Sequence, residues 1–158
     1  ATDARSLTCE IHPPSLFHLG LSAALDEFSE HFGKTHSILT IFQDDGRPKP
    51  LDADHRVAVF RMVRELMINA AKHSKADQLV VSISRAADDL IVHVSDDGVG
   101  FDPEQLHLTG AHGRSFGLLS IKERLTHLGG RLEIMSHLGL GTTVRLEAPL
   151  TVDSCFSL

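Results

Sequence analysis

Between Val59 and Ser95 the apolar residues change period once, and that change dictates most of what this chain can fold into. Val59, Met62, Val63, Leu66 and Ala70 fall three or four apart, which lays one apolar stripe along a helix. Asp52 or Asp54 can cap its start, since a short carboxylate accepts from the free N–H groups of a first turn, and the stripe ends near Ser74. Beyond it stand QLVVSISRA and LIVHVSD, two strand-like runs separated by ADD, short enough for a hairpin. A one-sided helix beside such a strand pair needs a sheet on which to bury its stripe.

The same reading extends in both directions. From Pro13 to about Phe32, Leu16, Leu19, Ala23, Phe28 and Phe32 follow a rough helical period, and SILTIF is a short strand that stops at DDGRPKP. After LIVHVSD comes DGVGFDPEQLHLTGAHGRSFG, which has no regular period; a stretch of that length inside a compact domain is usually functional, and it reads as a lid. Leu118, Ile121, Leu125 and Leu128 mark a helix stopped by Gly129 and Gly130, and RLEIMSH and TTVRLEA, joined by LGLG, form the last two strands. This order predicts an α/β (α+β) two-layer sandwich, with a mixed, mostly antiparallel sheet covered on one face by about three helices. With 158 residues the chain builds one core and is too short for two ordinary domains.

Composition excludes several functions. Fifteen basic and 21 acidic residues give a net charge of −6, with no basic run to neutralise a phosphate backbone, so nucleic acid is not an expected partner. Cys9 and Cys155 lie near opposite ends and form neither a disulfide framework nor a zinc motif, which suits a reducing cytoplasm. No apolar run approaches the roughly 20 residues of a membrane span, and the start lacks the layout of a signal peptide; no direct membrane insertion of this domain is expected. Eleven histidines occur without the helical spacing or cysteine neighbours of a metal site.

GRSFG, residues 113–117, fits the G-x-S-x-G of a hydrolase nucleophile elbow, but the elbow needs a strand running into it. LHLTGAH lacks that pattern, and Glu133 and His137, which do follow in hydrolase order, share one expected strand. Ser115 is therefore read as a lid residue.

Four weaker signals remain. Glu65, Asn69 and His73 repeat every four residues along one helix face, with Arg61 extending the row; a mid-helix asparagine costs roughly half a kcal/mol relative to alanine, yet a solvated face also fits. In SDDGVGF, Asp96 could accept from the exocyclic amine of adenine, and Gly98 and Gly100 would let backbone approach a flat ring; an ordinary turn also fits. Gly117 opens a helix whose free N–H groups suit a phosphate or plain capping. GLGTTV supplies Gly139, Gly141, Thr142 and Thr143 for a hairpin or a phosphate contact. Neither a P-loop nor a dinucleotide fingerprint is present.

These four segments, in this order, resemble the GHKL ATPase superfamily with its Bergerat fold. FRMVRELMINAAKHSKADQLVVSI, VSDDGVGFD, FGLLSIKERLTHLGGRLEIMS and GLGTTVRLEAP are similar to the ATP-binding domain of bacterial sensor histidine kinases of the nitrate-sensor subfamily, and the likeness runs from Ile11 to Pro149. The resemblance implies an ATP-binding domain at 13–150, a linker at 1–12 from upstream phosphoacceptor helices, and a tail at 151–158. It implies ATP and Mg²⁺ as ligands, Asn69 on the metal, Glu65 near the γ-phosphate, and Lys72 and His73 facing the phosphates. Asp96 would read adenine, Gly98 and Gly100 form the first glycine box, Gly117 and Leu118 the second, and Gly141 with Thr142 the last.

Ser115 and Ser120 depart from the family's glycines. None of the eleven histidines is followed by Asp or Glu, as the family's phosphoacceptor is. The chain is accordingly expected to be the ATP-binding portion of a longer two-component kinase, cytoplasmic, with a membrane anchor possible elsewhere in the parent. Its partners would be the phosphoacceptor helices of the same protein, a response regulator and, in the parent, a second copy. The alternatives are another GHKL ATPase or serine kinase of anti-sigma-factor type, or a non-catalytic domain with an altered lid.

Overall fold

The computed structural model describes residues 13–107 and 114–151. The expected linker at 1–12, residues 108–113 of the long loop and 152–158 of the tail, with Cys9 and Cys155, lie outside the described residues.

Two helices, α1 (Ser15–His18) and α2 (Leu21–His36), replace the single one expected from Pro13 to Phe32. Gly20, at φ 93°, breaks the path, and the N–H groups of Leu19 and Gly20 turn back to the Ser15 carbonyl. The longer helix runs a turn past Phe32, where His36 stacks on the Phe32 ring at 4.0 Å, and stops at Ser37 in the left-handed region. Then follow β1 (Leu39–Asp44), α3 (Ala53–His73), β2 (Gln78–Ala86), β3 (Asp89–Asp96), a 3-10 helix (Pro103–His107), α4 (Arg114–His127), β4 (Arg131–His137) and β5 (Gly141–Pro149).

The sheet runs β1-β2-β3-β5-β4, with β1 and β2 parallel and every other pair antiparallel. Parallel neighbours need a long crossover, which α3 supplies. Alternation along the strands makes the sheet two-faced. Leu79, Val81 and Ile83 of β2, Val92 and Val94 of β3, and Val144, Leu146 and Ala148 of β5 are buried in one core with Leu25, Phe28, Phe60, Met67, Ile121 and Leu125 of the helices. Phe28 and Phe60 meet edge to face at 5.6 Å and join α2 to α3. On the other face Arg131, Glu133, Arg145 and Glu147 form a ladder of ion pairs, the shortest 2.7 Å. The two-layer, mostly antiparallel sandwich expected from the periodicity is thus the observed one.

Asp52 caps α3, accepting from the His55 backbone N–H at 2.8 Å. At the other end, the buried Ser74 carbonyl accepts from the Val99 N–H at 2.7 Å, so the loop leaving β3 rests on the helix terminus. Gly98 makes that approach possible, because a β-carbon there would sit 2.2 Å from the Ser74 oxygen.

Two stability predictions follow from these contacts. Gly98→Ala is expected to cost about 1–3 kcal/mol, the range for forcing atoms into filled space, read as a lower urea midpoint. Asp52→Ala is expected to cost about 1 kcal/mol and Asp52→Asn much less, since asparagine still caps. Hydrogen bonds from the His55 backbone N–H first, and from its imidazole next, hold the Asp52 carboxyl below its usual range. Its contribution is therefore complete above the unfolded-state value of about 3.9 and is lost as pH falls through the lower folded value. Urea melts from pH 7 down to pH 2 should show the difference between wild type and Asp52→Ala closing only in that acid limb.

Candidate functional site

The helix-covered face of the sheet ends in a cleft where α3, β3, α4 and β5 converge. Its lining is Leu66, Asn69 and Ala70 of α3, Val94 and Asp96 of β3, Phe101 of the following loop, Leu118 of α4, and Thr142 and Val144 of β5. The walls are apolar except for a carboxylate, an amide and a hydroxyl. Free volume is about 20 Å³, close to the space of a single water, with Leu118 of α4 forming one wall.

Register explains which aspartate of SDDG enters. Asp96 pairs with Thr142 and Val94 with Val144 across β3 and β5, and all four project to the covered side. Asp96 is half-buried, and its Oδ1 accepts from the Gly98 N–H at 2.9 Å. Asp97 points elsewhere and accepts from the Asp77 and Gln78 N–H groups, both at 3.0 Å, tying down the start of β2.

Asn69 faces Asp96 from α3. Its Nδ2 is buried and takes no hydrogen bond among the described residues. A stranded amide of this kind costs about 1–3 kcal/mol, which a polar ligand or a water would relieve. Gly117 abuts it, since a β-carbon at position 117 would lie 3.1 Å from that nitrogen. Leu118, only 4% exposed, completes the cover.

Other expected residues stand outside the cleft. Lys72 and His73 occupy the last turn of α3 and are exposed. Glu65, one turn before Asn69, is held at 2.5 Å by the Arg124 guanidinium of α4. The glycines of the two loops shape the floor rather than line it: Gly100 abuts the His137 carbonyl, and Gly141, at φ 83°, brings its α-carbon against the Asp96 carbonyl, where a β-carbon would sit 2.1 Å away. At Gly98 and Gly100 the space that a β-carbon would need is occupied by backbone of this chain. Ser115 lies in the first turn of α4, which starts three residues before the expected Gly117; its side chain is outside the described residues.

Thr142 lines the cleft, but its hydroxyl lies 2.7 Å from Ser136 Oγ. Ser136 Oγ also accepts from the Phe101 N–H at 2.8 Å and donates to the Gly141 carbonyl at 3.2 Å, so Thr142 supplies the proton of the shared bond. Neither Ser136 nor Arg124 is marked by any motif in the sequence. Ser136 sits in the inward register of an alternating strand, a pattern that marks burial and says nothing of which loop it ties.

Among the described residues no three His, Cys, Asp or Glu side chains could hold a metal ion, and no helix is long and apolar enough to cross a membrane.

Residues 54–152, more than half of the chain, match the family model described as histidine kinase-, DNA gyrase B-, and HSP90-like ATPase. The chain is 33% identical over 153 residues to the oxygen sensor histidine kinase NreB of Staphylococcus carnosus, covering 94% of this chain and 42% of that protein. It is 34% identical over 145 residues to the sensor histidine kinase ComP of Bacillus subtilis, covering 90% of this chain and 18% of that protein. The chain thus spans less than half the length of either. Its fold superposes on the histidine kinase domain of the blue-light activated histidine kinase of Erythrobacter litoralis with a TM-score of 0.63 at 24% identity, covering 82% of this chain and 61% of the other. From the paired segments around Asn69 and Asp96 to the five-stranded sheet beneath them, this chain belongs to the histidine kinase-, DNA gyrase B- and HSP90-like ATPase family.

Proposed function

We propose that this domain binds Mg·ATP in the cleft between Asn69 and Asp96 and, within a longer two-component sensor kinase, donates the γ-phosphoryl group to a histidine on an adjoining phosphoacceptor domain. The observation that carries the reading is the facing pair itself: an acceptor-only carboxylate and a buried amide whose nitrogen has no partner among the described residues, set between apolar walls. Leu66, Val94, Leu118 and Val144 suit the faces of a purine, and the Asp96 carboxylate would take a proton from the exocyclic amine of adenine while repelling a carbonyl oxygen in the same place.

The donor set also fits a magnesium ion. Asn69 would contribute its amide oxygen, and because no acidic cluster stands beside it among the described residues, nucleotide phosphates and water would complete the shell, an arrangement Mg²⁺ favours over an all-protein cage. The bound ion would neutralise charge on the phosphates. This chain's own part is positioning. Asp96 fixes the base, Asn69 the phosphate end, and Gly117 and Leu118 with the first turn of α4 exclude water from above. Lys72 and His73, at the exposed end of α3, would meet the phosphates from the rim, and Glu65 would stand near the γ-phosphate. Since the cleft holds about one water, the α4 turn must move outward to admit a purine. NreB and ComP are sensor histidine kinases by name; the parent of this chain would act likewise on a response regulator and assemble as a homodimer.

Calorimetry provides the test. Asp96→Asn is expected to weaken ATP binding at least tenfold without changing the urea midpoint by more than a few tenths of a molar, because the cleft carboxylate is not a packing group; unchanged affinity would refute the base-reading role. Asn69→Ala should lower affinity several-fold with Mg²⁺ present and little in EDTA. An equal loss in both buffers would remove Asn69 from the metal.

A further inference from the structure

The helices α3 and α4 touch at two places related by their turns. On α3 the contact residues are Asn69 and, four positions earlier, Glu65; on α4 they are Gly117 and, seven positions later, Arg124. The pairing is antiparallel, so moving away from the cleft leads back one turn on α3 and forward two turns on α4. At the outer place Arg124 Nη2 donates to Glu65 Oε2 at 2.5 Å, and Arg124 Nε donates to the Ser120 carbonyl of its own helix at 3.3 Å. A planar guanidinium bonded at both ends has little freedom left, and it fixes the carboxylate it holds. Glu65 Oε2 is thereby anchored, while Oε1 takes no hydrogen bond among the described residues. The carboxylate is partly exposed, its side chain at 35%, at the edge of a groove lined by Ala58, Arg61, Met62, Arg124, His127 and Leu128.

We infer that Arg124 is a positioning residue: it orients the Glu65 carboxylate so that Oε1 faces the reacting phosphoryl group and its acceptor. The inference rests on the placement of Glu65 under the proposed function and adds to it a residue from a different helix. Loss of an exposed ion pair changes stability little, so a purely structural pair would leave both fold and rate almost untouched. An orienting pair has a different signature, because displacing a reacting group by about 1 Å costs on the order of 100-fold in rate without weakening substrate binding.

The experiment uses the full-length kinase that contains this chain, with radiolabelled ATP as the probe. Initial rates of autophosphorylation at varied ATP separate kcat from KM, and calorimetry on the same proteins gives nucleotide affinity. Arg124→Ala is expected to lower kcat by tenfold or more with KM and affinity within about twofold of wild type. Arg124→Lys should recover part of the rate, since an ammonium still reaches the carboxylate but cannot hold it at two points. Glu65→Gln should lower kcat at least as far, and the double variant Glu65→Gln/Arg124→Ala no further than Glu65→Gln alone, because the arginine acts through the glutamate. Wild-type rates in Arg124→Ala, a parallel loss of rate and affinity, or multiplied losses in the double variant would each overturn the positioning role while leaving the proposed function standing. A wild-type kinase that binds no ATP or transfers no phosphoryl group would overturn the proposed function and this inference together.

Discussion

A single backbone hydrogen bond, from the Val99 N–H to the Ser74 carbonyl at 2.7 Å, sets the geometry on which the cleft depends. Ser74 ends α3 and is wholly buried, its hydroxyl donating to the Ala70 carbonyl and accepting from the Ala76 N–H. The loop from β3 therefore docks on a helix end already fixed by these two bonds and by the Ser74 N–H, which donates to the Ala70 carbonyl at 3.1 Å. Asn69 lies just over one turn before that point and Asp96 three residues before Val99, so the two polar groups are positioned by main chain rather than by long side chains. The tight approach of Gly98 to Ser74 is the local condition for it, and side-chain size at that one position decides whether the helix and the strand can share a site.

Strand register supplies the second constraint. With a side-chain period of two, a slip of one residue between β3 and β5 would exchange Asp96 and Val94 for Asp97 and Ser95 on the covered face. Burial opposes the slip, because Val92 and Val94 would move from the core, where they lie beside Leu146 and Val144, to the side that carries Arg145 and Glu147. The same hydrophobic pattern that stabilises the sandwich thus selects which carboxylate enters the cleft, and the neighbouring Asp97 is left to brace the start of β2.

Much of this could be read from the chain because it is periodic. The Val59 to Ala70 stripe, the paired strands after it and the closing hairpin all appear where the apolar spacing puts them, since burial of one face is a property each segment carries in its own residues. What the spacing did not carry was decided by contacts between segments. Leu16 and Leu19 share a helical period, yet Gly20 at φ 93° divides their helix from the next, and a glycine alone does not announce a positive φ. The start of α4 at Arg114 is not marked by any apolar stripe, since its apolar spacing begins only at Leu118. Glu65 read as one member of a polar row along α3; its partner Arg124 lies 59 positions further on, and no local pattern links the two. Ser136 escaped for the same reason, since its three partners come from a loop and a strand on either side of it.

The closed cleft bears on how a ligand would be held. With Leu118 and Gly117 packed beside Asn69, only about 20 Å³ remains in the cleft, and the buried nitrogen of the Asn69 amide finds no partner among the described residues. Such an arrangement stores a conflict. Packing of α4 against α3 favours closure, whereas the stranded amide favours anything that brings a hydrogen-bonding group or water into the cleft. A nucleotide entering this site would spend part of its binding energy lifting the α4 turn and recover part of it by satisfying the amide. Apparent affinity is reduced by whatever fraction of molecules is closed, so a change at the inner contact of Asn69 with Gly117 would alter nucleotide affinity, whereas the outer Glu65–Arg124 pair lies away from the cleft. A substitution at Gly117, where a β-carbon would lie 3.1 Å from the Asn69 nitrogen, would therefore act first on the packing of α4 against α3.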